Sequence, residues 1–285
     1  MMIFKINWAP NEVFLNLGPL TIYWYSVMFI IAFSLGYYIV QKIYVNDSKP
    51  IELVEPLFIY VVFGTLLGAR LGEVFFYNWE YFQNNLIEIL LPIKKDIDSS
   101  MLFGIIDGYK FVGYRGLASH GAAVGIITAM FIYKYKFKYD SVLWIFDRIA
   151  IPIAIGGMFV RIGNFFNSEI VGNYTNSNFG VVFQNNGEIF PRHPAQLYEA
   201  FGYLLLFILL WNIYWKTDLK KHKGFIFGLF LTCLFSIRIL VENVKESQGG
   251  GLEDTLGILS TGQWLSIPFI IIGIVLMLYS RRKYA

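Results

Sequence analysis

Charge is scarce in this chain. Asp, Glu, Lys and Arg make up 15% of its 285 residues, whereas a soluble domain carries about a quarter. With an apolar share of 56%, that shortage excludes an ordinary water-soluble globule. Cys233 is the only cysteine, so no intrachain disulfide can form, and a lone thiol in an apolar run reads as a small buried hydrophobe. Three histidines occur without an HxxxH or HExxH pattern, and carboxylates are few, which argues against a catalytic metal. There is no GxSxG elbow, phosphate-cradling glycine loop or Ser/His/Asp order, and no cofactor is expected. The amino terminus lacks the basic start and small-residue cleavage site of a secretory signal, so the first apolar run is expected to stay as a helix. No internal repeat supports a transporter built from inverted halves. The net charge of +3 does not point to nucleic acid, because in a membrane protein the position of Lys and Arg encodes orientation.

Long apolar runs with short polar breaks are what the chain does have. A helix needs about 20 such residues to cross the hydrocarbon. Run length places seven spans at 20–41, 51–72, 117–133, 141–163, 194–215, 224–243 and 263–280. Four short connections hold Lys42 and Lys49, Lys134, Lys136 and Lys138, Lys216, Lys220, Lys221 and Lys223, and Arg281, Arg282 and Lys283. The other connections are longer and hold fewer basic residues, namely Lys5, Lys94, Lys95, Lys110, Arg115, Arg192 and Lys245. The positive-inside rule makes the first set cytoplasmic. The expected fold is therefore an all-α membrane protein of about seven transmembrane helices, a single polytopic domain with its amino terminus outside and its carboxyl terminus cytoplasmic. Residues 73–116 read as an external segment, partly interfacial or re-entrant. Residues 164–193 read as a small external head, in which the alternating FGVVFQ suggests a strand.

That orientation aligns the polar residues left inside or beside the apolar runs. Arg70, Arg161 and Arg238 sit near the outer ends of outward-running spans, Glu242 one turn beyond Arg238. Tyr25, His120 and the group Gln196, Tyr198 and Glu199 sit in the first turns of inward-running spans. An arginine at mid-depth costs about 2.5–3.5 kcal/mol on insertion scales, so compensation is expected. Arg238 and Glu242 are four apart and can pair on one helix face; a purely structural pair is the alternative. Asp147 and Arg148 lie at the inner end of the fourth span, Asp147 about 20 Å along the helix from Arg161, and fall outside this layer. His222 lies in the solvated KTDLKKHKG loop.

Arginine grips phosphate through a planar fork and stays charged when partly desolvated. Arginines at the outer depth therefore suit a phospholipid headgroup, with Tyr25, Asn164, Asn167 and Gln196 as neutral partners. Gly163 and Gly172 are places where backbone can approach a ligand closely. His120 and His193 are the histidines at this depth, and His120, followed by small residues, can take a proton near neutral pH. A packed histidine bonded to a carbonyl is its alternative. From the residues alone, group transfer from a lipid and simple lipid carriage or flipping both remain open.

The strings SHGAAVGI, FDRIAIPIAIGGMFVRIGNFFNSEIVG, RHPAQLYEA, RILVENVKE and GQWLSIPFIIIG, with GPLTIYWYSVMF and GARLGEVFFY before them, resemble the successive signatures of the prolipoprotein diacylglyceryl transferases. The resemblance runs along nearly the whole chain and is most specific from Arg161 through Gly172. It implies a seven-span enzyme of the bacterial plasma (inner) membrane with its active site toward the outer face. It also implies transfer of the diacylglyceryl unit of phosphatidylglycerol to the lipobox cysteine of prolipoprotein signal peptides, giving a thioether and glycerol 1-phosphate. By position, Arg161 and Arg238 match the phospholipid-contacting arginines and His120 the histidine proposed as base. Tyr25, Asn164, Asn167, Glu169, Gly172 and Glu242 match further functional positions, with His193, Gln196, Tyr198, Glu199 and Arg70 in support. Ser168 stands where the family has glycine, Ala122 replaces the second glycine after His120, and Lys245 takes a position often held by arginine. A phospholipid carrier or flippase is the competing class; it predicts lipid movement without covalent change.

Overall fold

The computed structural model describes residues 5–17, 20–91, 93–101, 106–111, 118–139, 141–246 and 259–284. The chain forms two compact units, residues 1–48 with 143–285, and residues 49–142.

The first unit holds β1 (Lys5–Trp8), β2 (Val13–Leu17), β3 (Leu20–Tyr23), α1 (Trp24–Asn46), α6 (Val142–Phe166), β6 (Gly180–Phe183), α7 (Ala195–Lys216), α8 (Phe225–Glu242) and α9 (Thr261–Tyr284). The second holds α2 (Val54–Phe76), the single turns α3 (Trp79–Phe82) and α4 (Ile87–Leu90), β4 (Ile93–Met101), β5 (Ile106–Phe111) and α5 (Ser119–Lys136). Among the described residues six helices are long and apolar enough to cross a membrane: Trp24–Asn46, Ile51–Phe76, Val142–Phe166, Ala195–Lys216, Phe225–Glu242 and Thr261–Arg282. The protein is thus mostly helical and multi-pass. α5, 18 residues with Lys134 and Lys136 in its last turn, is the remaining long helix and is not among those six. Large apolar side chains such as Ile30, Phe63 and Leu240 stand exposed on the helices, as a lipid-facing surface requires.

In the second unit the α2–α5 contact is made by glycines. Gly64, Gly68 and Gly72 recur every four residues on one face of α2, opposite Gly121 and Gly125 of α5. A methyl built on Gly68 would overlap the Gly121 carbonyl and lie 2.7 Å from the Gly125 Cα; one on Gly72 would lie 2.7 Å from the Gly121 Cα. Apolar burial drives little helix association in lipid, so close backbone approach supplies the packing instead. Beyond α2, residues 77–111 form α3, α4 and the antiparallel β4–β5 hairpin.

In the first unit one polar cluster ties the carboxyl-terminal ends of α1 and α7 to the amino-terminal parts of α6 and α8. Arg148 Nε bonds Asp47 Oδ2 at 2.8 Å, and the Tyr214 hydroxyl donates to Asp47 Oδ1 at 2.7 Å. Asp147, fully buried, accepts the backbone N–H of Gly224 at 2.7 Å and of Phe227 at 2.8 Å. It therefore satisfies orphan donors at the start of α8, where no capping side chain is present. α9 begins at a reciprocal cap, with Ser260 N–H donating to Gln263 Oε1 and Gln263 N–H to Ser260 Oγ. Phe235 stacks on Phe269 with centroids 4.4 Å apart where α8 and α9 pack.

The head is a small mixed structure. β1 pairs in parallel with β6, so the alternating FGVVFQ piece does form a strand, and Trp8 packs beside Phe165, Val171, Val181 and Phe183. The Trp8 indole donates to the Phe165 carbonyl at 3.0 Å, fixing these strands on the carboxyl end of α6.

Candidate active site

The last turns of α6 carry Arg161 and Asn164, after which the chain reverses. Ser168 and Ile170 make the reversal at φ 53° and 57°, a left-handed backbone that costs an L-residue about 1–2 kcal/mol. Glycine would adopt it freely, which gives a reason for glycine at position 168 in the family pattern. The Glu169 N–H donates to the Asn164 carbonyl at 3.0 Å, Gln196 Nε2 donates to the Glu169 carbonyl, and Asn186 Nδ2 to the Ser168 carbonyl at 2.9 Å. The turn so held brings the Glu169 carboxylate back over the helix end. There it accepts from Asn164 Nδ2 at 3.0 Å and Asn167 Nδ2 at 2.6 Å.

Arg161 completes the network. Its Nη1 donates to Asn164 Oδ1 at 3.1 Å, and its Nε pairs with Glu199 of α7, whose side chain is 2% exposed. Tyr203, one turn beyond Glu199, lies within electrostatic reach of the same guanidinium. Tyr25, in the first turn of α1, lies beside this network, within electrostatic reach of Glu169 and Arg161. Gly163 makes room for that ring: a Cβ there would stand 2.7 Å from Tyr25 Cδ2. Gly163 therefore serves a neighbouring side chain, a use the sequence reading did not foresee.

Arg238 enters from α8. The buried Tyr203 lies within electrostatic reach of both Arg238 and Arg161. The expected Arg238–Glu242 pair is not formed. Glu242 Oε2 instead meets Lys245 Nζ at 3.3 Å, because the chain turns just past the end of α8 and brings Lys245 back within reach of the last helical residue. Arg238 has no ion pair among the described residues, and its buried Nε has no hydrogen-bond partner. A buried donor left unmade costs about 1–3 kcal/mol.

Gly172 lies in a backbone ladder. Its N–H donates to the His193 carbonyl at 2.9 Å, the Asn173 N–H to the Val244 carbonyl at 2.8 Å and the Glu246 N–H to the Val171 carbonyl at 3.2 Å. A Cβ on Gly172 would lie 2.5 Å from the His193 carbonyl oxygen and 2.6 Å from that of Val244. Arg192 clasps the same ladder, donating to the Gly172 carbonyl at 3.1 Å and pairing with Glu188 at 2.8 Å and Glu246 at 3.1 Å. Burial acts to raise the Glu188 carboxyl, but hydrogen bonds from Arg192 and Tyr174 outweigh it and hold the group below its ordinary value. His193 Nδ1 lies 3.2 Å from the Tyr198 hydroxyl.

The unit of residues 1–48 and 143–285 thus brings together Tyr25, Arg161, Asn164, Asn167, Glu169, Gln196 and Glu199, with Gly172, His193 and Tyr198 in the adjoining ladder and Arg238 and Glu242 on α8. Tyr203 and Arg192 are members that the sequence does not single out, and Lys245, which the signatures do point to, enters as the partner of Glu242. The one available signal for Tyr203 was its spacing of four from Glu199. His120 and Arg70 belong to the other unit. His120 stands exposed in the first turn of α5. Arg70 is buried and fixes α4, donating from Nε to the Ile89 carbonyl at 3.0 Å and from Nη2 to the Glu88 carbonyl at 2.6 Å. The Glu88 carboxylate accepts from the Tyr81 hydroxyl at 2.6 Å, and that hydrogen bond, with burial, pushes the phenol up to about 12.

Comparison with known proteins agrees with the signatures along the chain. A profile of the prolipoprotein diacylglyceryl transferases matches residues 12–279. A protein of Tolumonas auensis named phosphatidylglycerol–prolipoprotein diacylglyceryl transferase is 39% identical over 278 residues, 98% of each chain. Proteins of the same name are 40% identical in Bacteroides fragilis, over 99% of this chain and 98% of the relative, and 38% identical in Chloroherpeton thalassium, over 98% and 95%. With the match running end to end through the Arg161–Gly172 reversal, the chain belongs to the prolipoprotein diacylglyceryl transferase family.

Proposed function

We propose that this protein transfers the diacylglyceryl group of phosphatidylglycerol to the lipobox cysteine of prolipoproteins, the first step of lipoprotein maturation in a bacterial plasma membrane. α5 serves as a seventh crossing: at about 27 Å its 18 residues nearly match the hydrocarbon thickness. The lysine-rich connections then lie in the cytoplasm, the amino terminus outside, and the 73–116 segment and the head on the outer face. The observation that carries the reading is a pair of arginines in one unit, of which Arg161 is paired with Glu199 and Arg238 has no ion pair among the described residues, its buried Nε lacking a hydrogen-bond partner there.

In the reaction the thiol sulfur bonds to the glyceryl carbon esterified to phosphate. The carbon–oxygen bond breaks, its electron pair stays on the phosphate oxygen, and glycerol 1-phosphate leaves. Arg238 and Arg161 bind the phosphate and stabilise the charge that builds on the leaving group. The Tyr25, Asn164, Asn167 and Glu169 network orients Arg161, and the Gly172 ladder sets the position of the α8 end. A free thiol is only a few per cent thiolate at neutral pH; His120 takes its proton.

The test is direct. Purified protein is mixed with labelled phosphatidylglycerol and a lipobox peptide, and thioether and glycerol phosphate are followed. Equal amounts of both are expected; lipid movement between leaflets without either product would replace this reading with a carrier. His120→Gln is expected to lose at least about a hundredfold in turnover, the scale of general base catalysis; near-normal turnover in folded protein would remove His120 as the base.

A further inference from the structure

Among the described residues the Arg238 guanidinium has no ion pair, only the Phe235 ring 5.9 Å away, although a carboxylate stands one helical turn on. Residues at i and i+4 on a helix are neighbours, and away from water their attraction is strong, so an internal Arg238–Glu242 pair is the default outcome. Two features hold Glu242 elsewhere. Lys245 Nζ takes Glu242 Oε2 at 3.3 Å, with the two side chains 7% and 11% exposed. Gly262, in the first turn of α9, leaves space for the carboxylate: a Cβ there would lie 2.6 Å from Oε1 and 2.7 Å from Cδ.

Both features are themselves fixed. Lys245 bridges Gly172 in the ladder to the head. The register of α9 on α8 is set by Gln263, whose Nε2 reaches the Ile239 carbonyl at 3.3 Å and Asn243 Oδ1 at 3.2 Å. The position of Glu242 is therefore built from three segments. Arg238, by contrast, has no ion pair among the described residues and a buried Nε without a partner.

We infer that Lys245 and Gly262 are positioning residues that keep the Glu242 carboxylate off Arg238, so that the guanidinium is left to the phosphate of the lipid substrate. This rests on the reading of Arg238 as a phosphate ligand. Removing either device lets the carboxylate compete with phosphate for Arg238, and the competition weakens lipid binding more than the chemical step.

The experiment measures KM for phosphatidylglycerol and kcat in the thioether assay for Lys245→Met and Gly262→Ala, each alone and combined with Glu242→Gln, and for Glu242→Gln by itself. Lys245→Met and Gly262→Ala alone are each expected to raise KM about tenfold or more with kcat within about threefold, the signature of lost substrate binding. Glutamine has the shape of glutamate without its charge. The combined variants are therefore expected to show a KM within about threefold of that of Glu242→Gln alone, because with the competing charge gone neither device has anything left to hold off Arg238. Unchanged KM in both single variants, or losses that Glu242→Gln does not rescue, would overturn the inference and leave Lys245 and Gly262 as packing residues. Arg238→Gln separates this from the underlying reading. If it abolishes turnover while Lys245→Met is silent, only the inference falls; if Arg238→Gln itself is silent, the phosphate site falls with it.

Discussion

Arg161 donates from Nη1 to the Oδ1 of Asn164, three residues along the same helix, at 3.1 Å. That bond decides the orientation of the amide: with the oxygen committed to Arg161, the nitrogen turns to Glu169 at 3.0 Å. Asn164 is thus a relay between a cation and a carboxylate, a task no charged residue can do.

Asn164→Asp tests the relay. It removes the donor to Glu169 and sets a second carboxylate beside the first. A broken hydrogen bond to a charged group is worth about 1.5–3 kcal/mol, which corresponds to roughly a 10- to 100-fold loss in rate. The thioether assay should register that loss with Arg161 and Arg238 intact. A rate within threefold of the parent would mean that the amide does not orient Arg161.

The α2–α5 contact gives a stability prediction in the other unit. Gly68→Leu inserts a large side chain where even a methyl would overlap the Gly121 carbonyl, so the helices must separate or the variant must fail to fold. Overpacking costs typically about 1–3 kcal/mol and occasionally more. A lower unfolding temperature in detergent is expected, with a larger drop than for Leu66→Ala, since Leu66 is exposed. Equal effects of the two changes would contradict a contact built on glycine.

The long helices were legible because hydrocarbon thickness imposes run length on sequence. Their ends were less so. The first run was read from residue 20, but Leu20–Tyr23 pairs with Val13–Leu17 as a strand, so α1 begins at Trp24. The parallel pairing of Lys5–Trp8 with Gly180–Phe183 joins distant segments and leaves no local mark at the amino-terminal strand. Within the site, spacing identified the neighbours Arg238 and Glu242 but could not show that Lys245 would win the carboxylate. Tyr203 carries no signal of its own, because an aromatic residue in an apolar run reads as packing. The roles of Gly64, Gly68 and Gly72 depend on facing glycines in α5, which only the fold supplies.

Ser168 offers a gain rather than a loss. Its φ of 53° carries a left-handed cost of about 1–2 kcal/mol, and its buried hydroxyl has no hydrogen-bond partner among the described residues. Ser168→Gly relieves both while keeping the backbone carbonyl that accepts from Asn186. Against this stands the greater freedom of glycine in the unfolded chain, about 0.5–1 kcal/mol. The net expectation is a higher unfolding temperature; an unchanged or lower one would mean that the serine contributes something the geometry does not reveal.

Glu188 and Arg192 give the pH dependence. Burial opposes ionisation of Glu188, yet hydrogen bonds from Arg192 and Tyr174 prevail and hold its carboxyl below the ordinary 4.5. A group whose folded value is depressed contributes stability that is fully present above its unfolded value and is lost as pH falls through the folded one. The contribution is therefore expected at neutral pH and should fade below about pH 4.5. Glu188→Gln removes the titration, leaving Arg192 with Glu246, whose side chain is 52% exposed, as its other carboxylate. The variant should unfold at a lower temperature than the parent at pH 7, and the gap should narrow as the solution is taken from pH 5 to pH 3. Because Arg192 also holds the Gly172 carbonyl, the same variant should loosen the ladder that carries Lys245, and hydrogen exchange at the Asn173 and Glu246 amides should speed up at neutral pH. A temperature gap that stays constant down to pH 3 would show that Glu188 acts by shape rather than by charge.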